Sequence, residues 1–242
     1  MITTSDKEDI QRSLENYPGL QFYPDAEVPY IQGIWEAKFN GVLFETYEVK
    51  IDFIHGYPNK LPLVYEISSK IPRLADRHLN PPGWDACLFV ADSRWEVWPL
   101  GSSFLKFLEI PIHNFFLWQA YYDEFQKPPP SGERSHYDQG VVEYYYERLS
   151  VTKPDQALRL LLATKYITKR TDRCPCGKNI SFKDCHYETV KLFRDNAEKL
   201  YIQKAINIFL EIVEQQRKIY AQKKEKSLIY TFNISPSEIL KK

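Results

Sequence analysis

The alternation of apolar and polar residues in two neighbouring segments is the feature that most constrains the fold of this chain. The run TYEVKIDFI (residues 46–54) places a β-branched or aromatic residue at every second position, which is the period expected of a half-buried strand. The run IQGIWEAKF (31–39) is also rich in such residues, and Asn40-Gly41 between the two runs is typical of a hairpin turn. The two segments are therefore predicted to form an antiparallel β-hairpin.

Further strands and helices are predicted around this hairpin. Two more strands complete a four-stranded antiparallel sheet, a proline-dotted stretch without regular structure follows, and helices come after it. This order predicts an α+β domain over residues 1–150. Besides the hairpin, the predicted elements are a helix over 5–16 capped by Ser5, strands near 20–23 and over 63–68, an irregular stretch over 71–99, a helix over 101–125 kinked or divided at Pro111, and a short helix over 140–149.

The rest of the chain is predicted to be helical around a group of cysteines. A linker helix is expected over 151–171, and residues 172–242 are expected to hold a cysteine motif followed by one long amphipathic helix that reaches about residue 226. The apolar stripe predicted for that helix consists of Phe193, Ala197, Tyr201, Ala205, Phe209 and Ile212.

Cys174, Cys176, Cys185 and His186 form two close pairs whose spacing is typical of metal ligands. Zinc favours four tetrahedral sulfur and nitrogen ligands, and Gly177 after the first pair permits the tight turn that the site needs. A segment this short buries little apolar surface, so a metal would supply folding free energy on the order of 10 kcal/mol. We therefore predict a structural zinc site with no open position; the alternative is three reduced thiols without metal.

The composition argues against several functional classes. The formal net charge is +0, from 32 basic and 32 acidic residues, whereas a protein that neutralises nucleic-acid phosphates usually carries a basic excess. No apolar run approaches the roughly 18 residues of a spanning helix, and the N-terminus is polar and acidic. Three clustered cysteines fit a metal site in a reducing compartment better than disulfides. We expect a cytoplasmic protein that acts on neither membranes nor nucleic acid.

Short features in a fixed order give the first 150 residues a family resemblance. Four predicted strands are followed by YPNKLP (57–62), His78-Leu79-Asn80, Cys87-Leu88 and Trp95 with Pro99 nearby. This order resembles the ubiquitin-conjugating enzyme fold, in which a tyrosine-proline turn, a His-Pro-Asn tripeptide, the active cysteine and a Trp-Ser-Pro element follow the sheet. Leu79 stands where that family usually has proline. Residues 118–136 are unlike the eukaryotic enzymes and look more like divergent bacterial members associated with antiphage defence.

The resemblance implies that Cys87 carries the C-terminus of a ubiquitin-like protein, or of a partner protein, as a thioester and passes it to a lysine. It further implies that Asn80 steadies the oxyanion or braces the loop, and that His78 belongs to the site by bonding that loop. The implied partners are an activating enzyme and a protein target such as a nucleotidyltransferase. The cysteine motif is in turn similar to the SEC-C zinc module, which serves interactions in many bacterial proteins.

Several alternatives stay open at this point. Cys87 could be a packing residue, since free cysteine behaves as a small hydrophobe. The domain could then be a protein-binding module that keeps the fold without turnover. Asp85 and Asp92 are either solvated loop carboxylates or groups that oppose thiolate formation and help to deprotonate a lysine. His113 and His136 could reach the site, and a cysteine-protease arrangement of Cys87 with His136 is a third, weaker alternative.

Overall fold

The computed structural model describes residues 2–130, 134–166 and 169–232, with side chains up to residue 223. Its internal contacts divide the chain into two units, Met1–Gly140 and Val141–Lys242. The division comes earlier than residue 150, where the sequence pattern places the end of the first domain. The last ten residues of the predicted 172–242 region, 233–242, lie outside the described residues.

The first unit begins with helix α1 (Thr4–Ser13), and Thr3 caps this helix in place of the predicted Ser5. The Thr3 hydroxyl accepts the Asp6 N–H at 3.1 Å, and the Asp6 carboxylate accepts the Thr3 N–H at 2.8 Å. This reciprocal arrangement satisfies two backbone donors that a helix start leaves without intrahelical partners. A 3-10 turn over Leu14–Asn16 then leads towards the sheet.

The sheet has four antiparallel strands in chain order: β1 (Leu20–Tyr23), β2 (Tyr30–Phe39), β3 (Val42–Asp52) and β4 (Leu63–Glu66). The predicted hairpin is confirmed, with Phe39 paired to Val42 across Asn40-Gly41. Alternate residues of β2 and β3 point into the core, as the period of two predicts. The buried members of these two strands are Ile31, Trp35, Ala37, Tyr47, Val49 and Ile51.

The stretch predicted to be irregular contains short regular elements. A two-stranded ribbon joins β5 (Leu79–Asn80) to β6 (Asp85–Ala86), and 3-10 turns lie over Ala75–Arg77 and Ala91–Ser93. Elements of two to four residues have no room for a periodic pattern, so the sequence could not show them. Helix α2 (Arg94–Val97) follows the second turn.

The helical part of the first unit runs on without a break, and Pro111, where the sequence predicts a kink or a separate turn, lies inside a π-helical segment. Helix α3 (Phe104–Phe107) passes into a π-helical segment (Leu108–Ile112) and then into α4 (His113–Phe125). Proline lacks the N–H of a regular helical bond, and the wider π turn accommodates that loss. One face of these helices packs on the sheet, and the ring of Phe116 lies 4.9 Å from that of Tyr47.

Gly33 in β2 is expected to tolerate no side chain. Its φ is +153°, and a methyl group there would lie 2.0 Å from the Gly19 carbonyl oxygen. We expect Gly33→Ala to lower the free energy of unfolding by about 3 kcal/mol or more, because the backbone of β1 would have to move. Urea unfolding followed by tryptophan fluorescence measures this, because all five tryptophans lie in the first unit.

Gly41→Ala is the matched control for that substitution. Gly41 also has a positive φ, +78°, but nothing lies within 4 Å of an added methyl group. Backbone strain alone should then cost roughly 1–2 kcal/mol. If both variants lowered the free energy of unfolding by the same amount, the close contact between Gly33 and the Gly19 carbonyl would be contradicted.

The division of the chain after Gly140 falls within helix α5 (Tyr137–Arg148). The helices that follow it are α6 (Pro154–Ala163), α7 (Tyr187–Asn196) and α8 (Lys199–Phe232). The single long helix predicted after the cysteine motif is wrong. Ala197 is extended between two helices, and the side-chain amide of Asn196 donates to the Leu192 carbonyl at the end of α7. Asparagine commonly bonds to backbone in this way at helix ends.

The apolar stripe predicted for one helix is consequently shared by two. Phe193 is buried on α7, whereas Ala205 and Phe209 are buried on α8 together with Ile202, Ile206 and Val213. In the described part of the chain, no helix is both long enough and apolar enough to cross a membrane.

Candidate functional sites

The β5–β6 ribbon sets the surroundings of Cys87. Leu79 pairs with Ala86 and Asn80 pairs with Asp85, and the Cys87 N–H donates to the His78 carbonyl at 2.8 Å. Leu79 and Ala86 are buried in the core of the first unit. The ribbon therefore anchors one face in the core and brings the three residues predicted for catalysis into one short stretch of structure.

Cys87 itself is half-buried, not sealed in the core. Burial, and secondarily the nearby Asp85 carboxylate, raises the pKa of its thiol. Asp85 thus opposes ionisation, as its charge predicts. A thiol in this environment stays protonated at neutral pH, so a reaction at Cys87 needs a base to take the proton.

Asn80 uses its side chain to brace the ribbon. Its amide nitrogen donates to the Asp85 carboxylate at 2.8 Å. Of the two roles that the family resemblance implies for Asn80, this bond corresponds to bracing the loop. The same bond occupies one oxygen of Asp85 and ties that carboxylate to the ribbon.

Asp92, in contrast, is not the solvated loop carboxylate considered above, because it is only 6% exposed.

His78 adopts a left-handed backbone conformation, with φ of +51°, and its ring is enclosed by aromatic groups. The ring lies edge-on to Trp118 of α4 at 4.7 Å and 4.8 Å from the ring of His136. Burial, together with the neighbouring His136, lowers the pKa of His78 to about 4. His78 is therefore a neutral imidazole at physiological pH and cannot stabilise a thiolate by charge.

This electrostatic picture disfavours the cysteine-protease alternative. That chemistry relies on a cysteine whose pKa is lowered by a cationic imidazole or a helix N-terminus. Here burial raises the pKa of Cys87, and it lowers the pKa of His78, whose carbonyl accepts the Cys87 N–H. Of the two additional histidines, His136 contacts His78, whereas His113 is the first residue of α4.

Two buried arginines hold the segments on either side of Cys87, and the sequence patterns did not reveal them. Arg77 precedes His78 and donates to the Gln119 side chain at 2.9 Å, while Gln119 donates to the Arg77 carbonyl at 2.8 Å. Arg94 donates to the carbonyls of Pro58 and Asn59 in the YPNKLP turn and lies over the ring of Trp98. Such contacts join positions 35 to 42 residues apart, so only the folded chain brings them together.

Two residues shortly before Cys87 have a strained backbone. His78 and Trp84 have φ values of +51° and +63°. Non-glycine residues rarely adopt this conformation, and where they do they often belong to functional sites. The loop that carries Cys87 is thus held in a costly conformation by its surroundings.

The second site is the cluster of Cys174, Cys176, Cys185 and His186. Their ligand atoms all lie within 4.8 Å of one another, and the cluster can hold a metal ion. The Cys176 and Cys185 sulfurs are 3.8 Å apart, while Nδ1 of His186 is 3.2 Å from the Cys174 sulfur and 3.0 Å from the Cys185 sulfur. Tetrahedral ligands at about 2.3 Å from a zinc ion would be separated by nearly 4 Å, so this spacing suits a small tetrahedral cation.

The local fold presents these four ligands on tight turns. Gly177 has φ of +91°, and its N–H donates to the Cys174 carbonyl, which closes the turn between the first two cysteines. The N–H groups of Cys185 and His186 both bond to the Phe182 carbonyl, which turns the second pair back towards the first. The sequence prediction of this cluster from ligand spacing agrees with the geometry.

Hydrogen bonds from neighbouring helices orient the cluster. Nε2 of His186 lies 2.9 Å from the Leu149 carbonyl, so that nitrogen is the donor and Nδ1 faces the sulfurs as an acceptor. Gln156 and Arg159 of α6 donate to the Cys176 carbonyl at 3.3 Å. If all four side chains bound one tetrahedrally coordinated cation, they would leave no position for a reacting water.

The cysteine thiols of the cluster would release protons when a metal binds. Burial is the largest influence on Cys174 and raises the pKa of its thiol to about 12, so that thiol is protonated without a cation. Metal affinity should therefore increase with pH.

Comparisons with protein-family models, with curated proteins and with solved structures found no match for this chain.

Proposed function

We propose that this protein is a ubiquitin-conjugating-enzyme-like acyl carrier, in which Cys87 holds the C-terminus of a ubiquitin-like protein or a partner protein. The position of Cys87 carries this proposal. The cysteine is half-buried, follows a short ribbon after a four-stranded antiparallel sheet, and precedes the helical part of the first unit. This order of elements resembles that of the family named above, and His78 and Trp84 in the same stretch have positive φ values.

The proposed chemistry consists of two acyl transfers. In the first, the Cys87 sulfur loses its proton and bonds to the carbonyl carbon of a donor thioester, and the donor sulfur leaves and is protonated. In the second, a lysine amine bonds to the same carbon and loses a proton, and the Cys87 sulfur leaves and is protonated. The first step is nearly balanced in free energy because one thioester replaces another, so it needs positioning more than driving force.

The remaining parts of the proposal concern the metal and the partners. We assign a structural zinc ion to the Cys174, Cys176, Cys185 and His186 cluster, as in a SEC-C-type module that contacts other proteins. An activating enzyme supplies the acyl group, and a protein such as a nucleotidyltransferase receives or contributes it. The setting proposed for these reactions is the cytoplasm of a bacterium, within an antiphage defence system.

A non-catalytic binding module is the second candidate. The raised pKa of the Cys87 thiol favours it, because that thiol is not activated in the free protein. A carrier and a binding module differ in whether a covalent bond forms at this sulfur.

Covalent adducts at position 87 test the proposal. A tagged copy of the chain, made in its source cells, should carry a protein adduct that dithiothreitol releases, because thiols cleave thioesters. Cys87→Lys should carry an adduct that resists dithiothreitol, because an amide replaces the thioester, and Cys87→Ala should carry none. Mass spectrometry locates the modified residue. An adduct that persists in Cys87→Ala, or no adduct on any form, would leave the binding module as the function.

A further inference from the structure

A second imidazole lies beside the Cys87 loop and has no role in the function proposed so far. The ring of His136 is 4.8 Å from the ring of His78, and the His78 carbonyl accepts the Cys87 N–H at 2.8 Å. His136 is therefore linked to the backbone of the cysteine through one residue, although 49 positions separate them in the sequence. These two contacts place the His136 ring beside the residue that holds the Cys87 backbone.

The segment that carries His136 is positioned closely against the loop after Cys87. A methyl group on Gly140 would lie 2.1 Å from the Ser135 carbonyl oxygen and 3.9 Å from a methyl carbon of Val90. The absence of a side chain at Gly140 thus lets the start of α5 approach the segment before it, and Val90 of the loop after Cys87 lies at ordinary contact distance. His136, which is half-buried, lies within this tight arrangement.

The two imidazoles differ in their surroundings. His78 is the more enclosed partner, with Trp118 edge-on at 4.7 Å, and burial keeps it neutral. The acidic group that influences it electrostatically is Asp76 of the preceding turn, and Tyr137 lies beside His136. A neutral, held imidazole is suited to fixing the orientation of its neighbour, and histidine is the side chain whose ordinary pKa allows proton uptake near neutral pH.

Asp85 is poorly placed to be the only proton acceptor. One of its oxygens accepts the Asn80 amide at 2.8 Å, which uses the carboxylate to brace the ribbon. A carboxylate is also a weak base at neutral pH compared with an imidazole. A base other than Asp85 is therefore needed to explain how an amine could attack at this site.

We propose that His136 accepts the proton which a primary amine releases as it attacks the Cys87 thioester, and that His78 positions the His136 ring. This inference rests on the proposed thioester function and adds the group that makes transfer to lysine efficient. The amine nitrogen bonds to the carbonyl carbon and its proton moves to the His136 imidazole. The carbon–sulfur bond then breaks, the Cys87 sulfur leaves with the electron pair, and the proton passes from His136 to that sulfur or to water.

Discharge of a chemically loaded Cys87 tests this role without the natural donor. The full chain with zinc bound is acetylated with p-nitrophenyl acetate, and mass spectrometry follows the acetyl thioester on the Cys87 peptide. Loss of the acetyl group is then measured with Nα-acetyl-lysine amide as the acceptor. We expect His136→Gln to slow this aminolysis by about 10²-fold, as the loss of a general base predicts.

Two further measurements separate a proton acceptor from a structural residue. Hydroxylamine attacks thioesters with little need of a base, so its rate with His136→Gln should stay close to that of the unmodified protein. Added imidazole should restore aminolysis in His136→Ala, because it can take the place of the missing ring. His113→Gln is the matched control and should leave every rate unchanged.

The outcomes distinguish this inference from the function on which it rests. If Cys87 cannot be acetylated in the folded protein, the carrier function fails. Suppose instead that Cys87 is acetylated but His136→Gln transfers the acetyl group to lysine at the normal rate, or that the variant slows transfer to lysine and to hydroxylamine equally. Either result overturns the role of His136 while the carrier function stands. Failure of imidazole to restore aminolysis in His136→Ala would likewise count against a proton-accepting role.

Discussion

Replacing Cys176 with serine is expected to abolish metal binding by the second unit and to unfold the segment between α6 and α7. Three ligands bind a tetrahedral cation far more weakly than four, and the metal is the main source of stability for a segment with few buried apolar residues. In zinc-finger peptides, binding of the ion contributes apparent free energies of about 10–16 kcal/mol at neutral pH. We expect a large part of that stabilisation to be lost here, because Cys176 is 1% exposed and its carbonyl accepts bonds from Gln156 and Arg159.

Metal content and proteolysis measure this effect. Elemental analysis should find one zinc ion per chain in the unmodified protein and none in Cys176→Ser, and trypsin should cut between residues 169 and 186 only in the variant or after treatment with a strong chelator. Cobalt added to the metal-free chain should show the intense visible absorption of a tetrahedral thiolate site. Cys87→Ser is the control and should keep its metal. Retention of zinc and of protease resistance in Cys176→Ser would contradict the four-ligand site.

Arg77→Met is expected to lower the free energy of unfolding of the first unit by about 3 kcal/mol. The guanidinium is 6% exposed, bonds to Gln119 at 2.9 Å, and lies 4.8 Å over the ring of Tyr122. Methionine keeps much of the volume but leaves the side-chain oxygen of Gln119 without its donor. A buried acceptor without a partner costs about 1–3 kcal/mol, and the loss of hydrogen bonds from a charged group adds to that figure.

Asp123→Asn is the matched control for the arginine. Arg77 also pairs with Asp123 at 2.7 Å, but the Asp123 side chain is 43% exposed, so solvent screens most of that attraction. We expect this variant to lose less than about 1 kcal/mol. Tryptophan fluorescence during urea unfolding measures both changes, since the tryptophans report on the first unit. If Arg77→Met and Asp123→Asn lowered the free energy of unfolding equally, the exposed ion pair, and not the buried hydrogen bond between Arg77 and Gln119, would supply the stability.

The arginine network also links stability to the proposed chemistry. Arg77 directly precedes His78, whose carbonyl holds the backbone of Cys87. Loss of the Arg77–Gln119 bonds would free the 3-10 turn before the ribbon, so the imidazole pair and the cysteine would lose their fixed positions. A catalytic site depends on side chains whose supports are themselves held, and here one support is a buried ionic residue.

The elements that the sequence predicted correctly are those in which a pattern repeats over many residues. The β2–β3 hairpin shows a period of two over most of its length, and α5 is predicted within a few residues of its observed bounds. The metal cluster was also predictable, because all four ligands lie within thirteen consecutive residues and their spacing is a local property. Local physical chemistry is sufficient in each case.

The errors arise where a local pattern permits two structures. The apolar stripe from Phe193 to Ile212 continues at helical spacing across Ala197, yet the chain is extended there. Periodicity reports which residues can share a face, but it does not report a break of two residues between helices. Similarly, Ser5 and Thr3 are both acceptable caps, and the hydrogen bond that the Asp6 N–H donates to the Thr3 hydroxyl decides between them.

By itself, the sequence determined the four-stranded antiparallel sheet, the irregularity of the helix at Pro111 and the cluster of three cysteines and a histidine, because each depends on residues that are near one another in the chain. Only the tertiary structure decided that His136 meets His78, that Arg77 bonds to Gln119, and that Asp85 is tied to Asn80 beside a half-buried Cys87. The first two of these contacts join residues more than 40 positions apart. Their geometry follows from how helices pack on the sheet, which no local pattern of residues encodes.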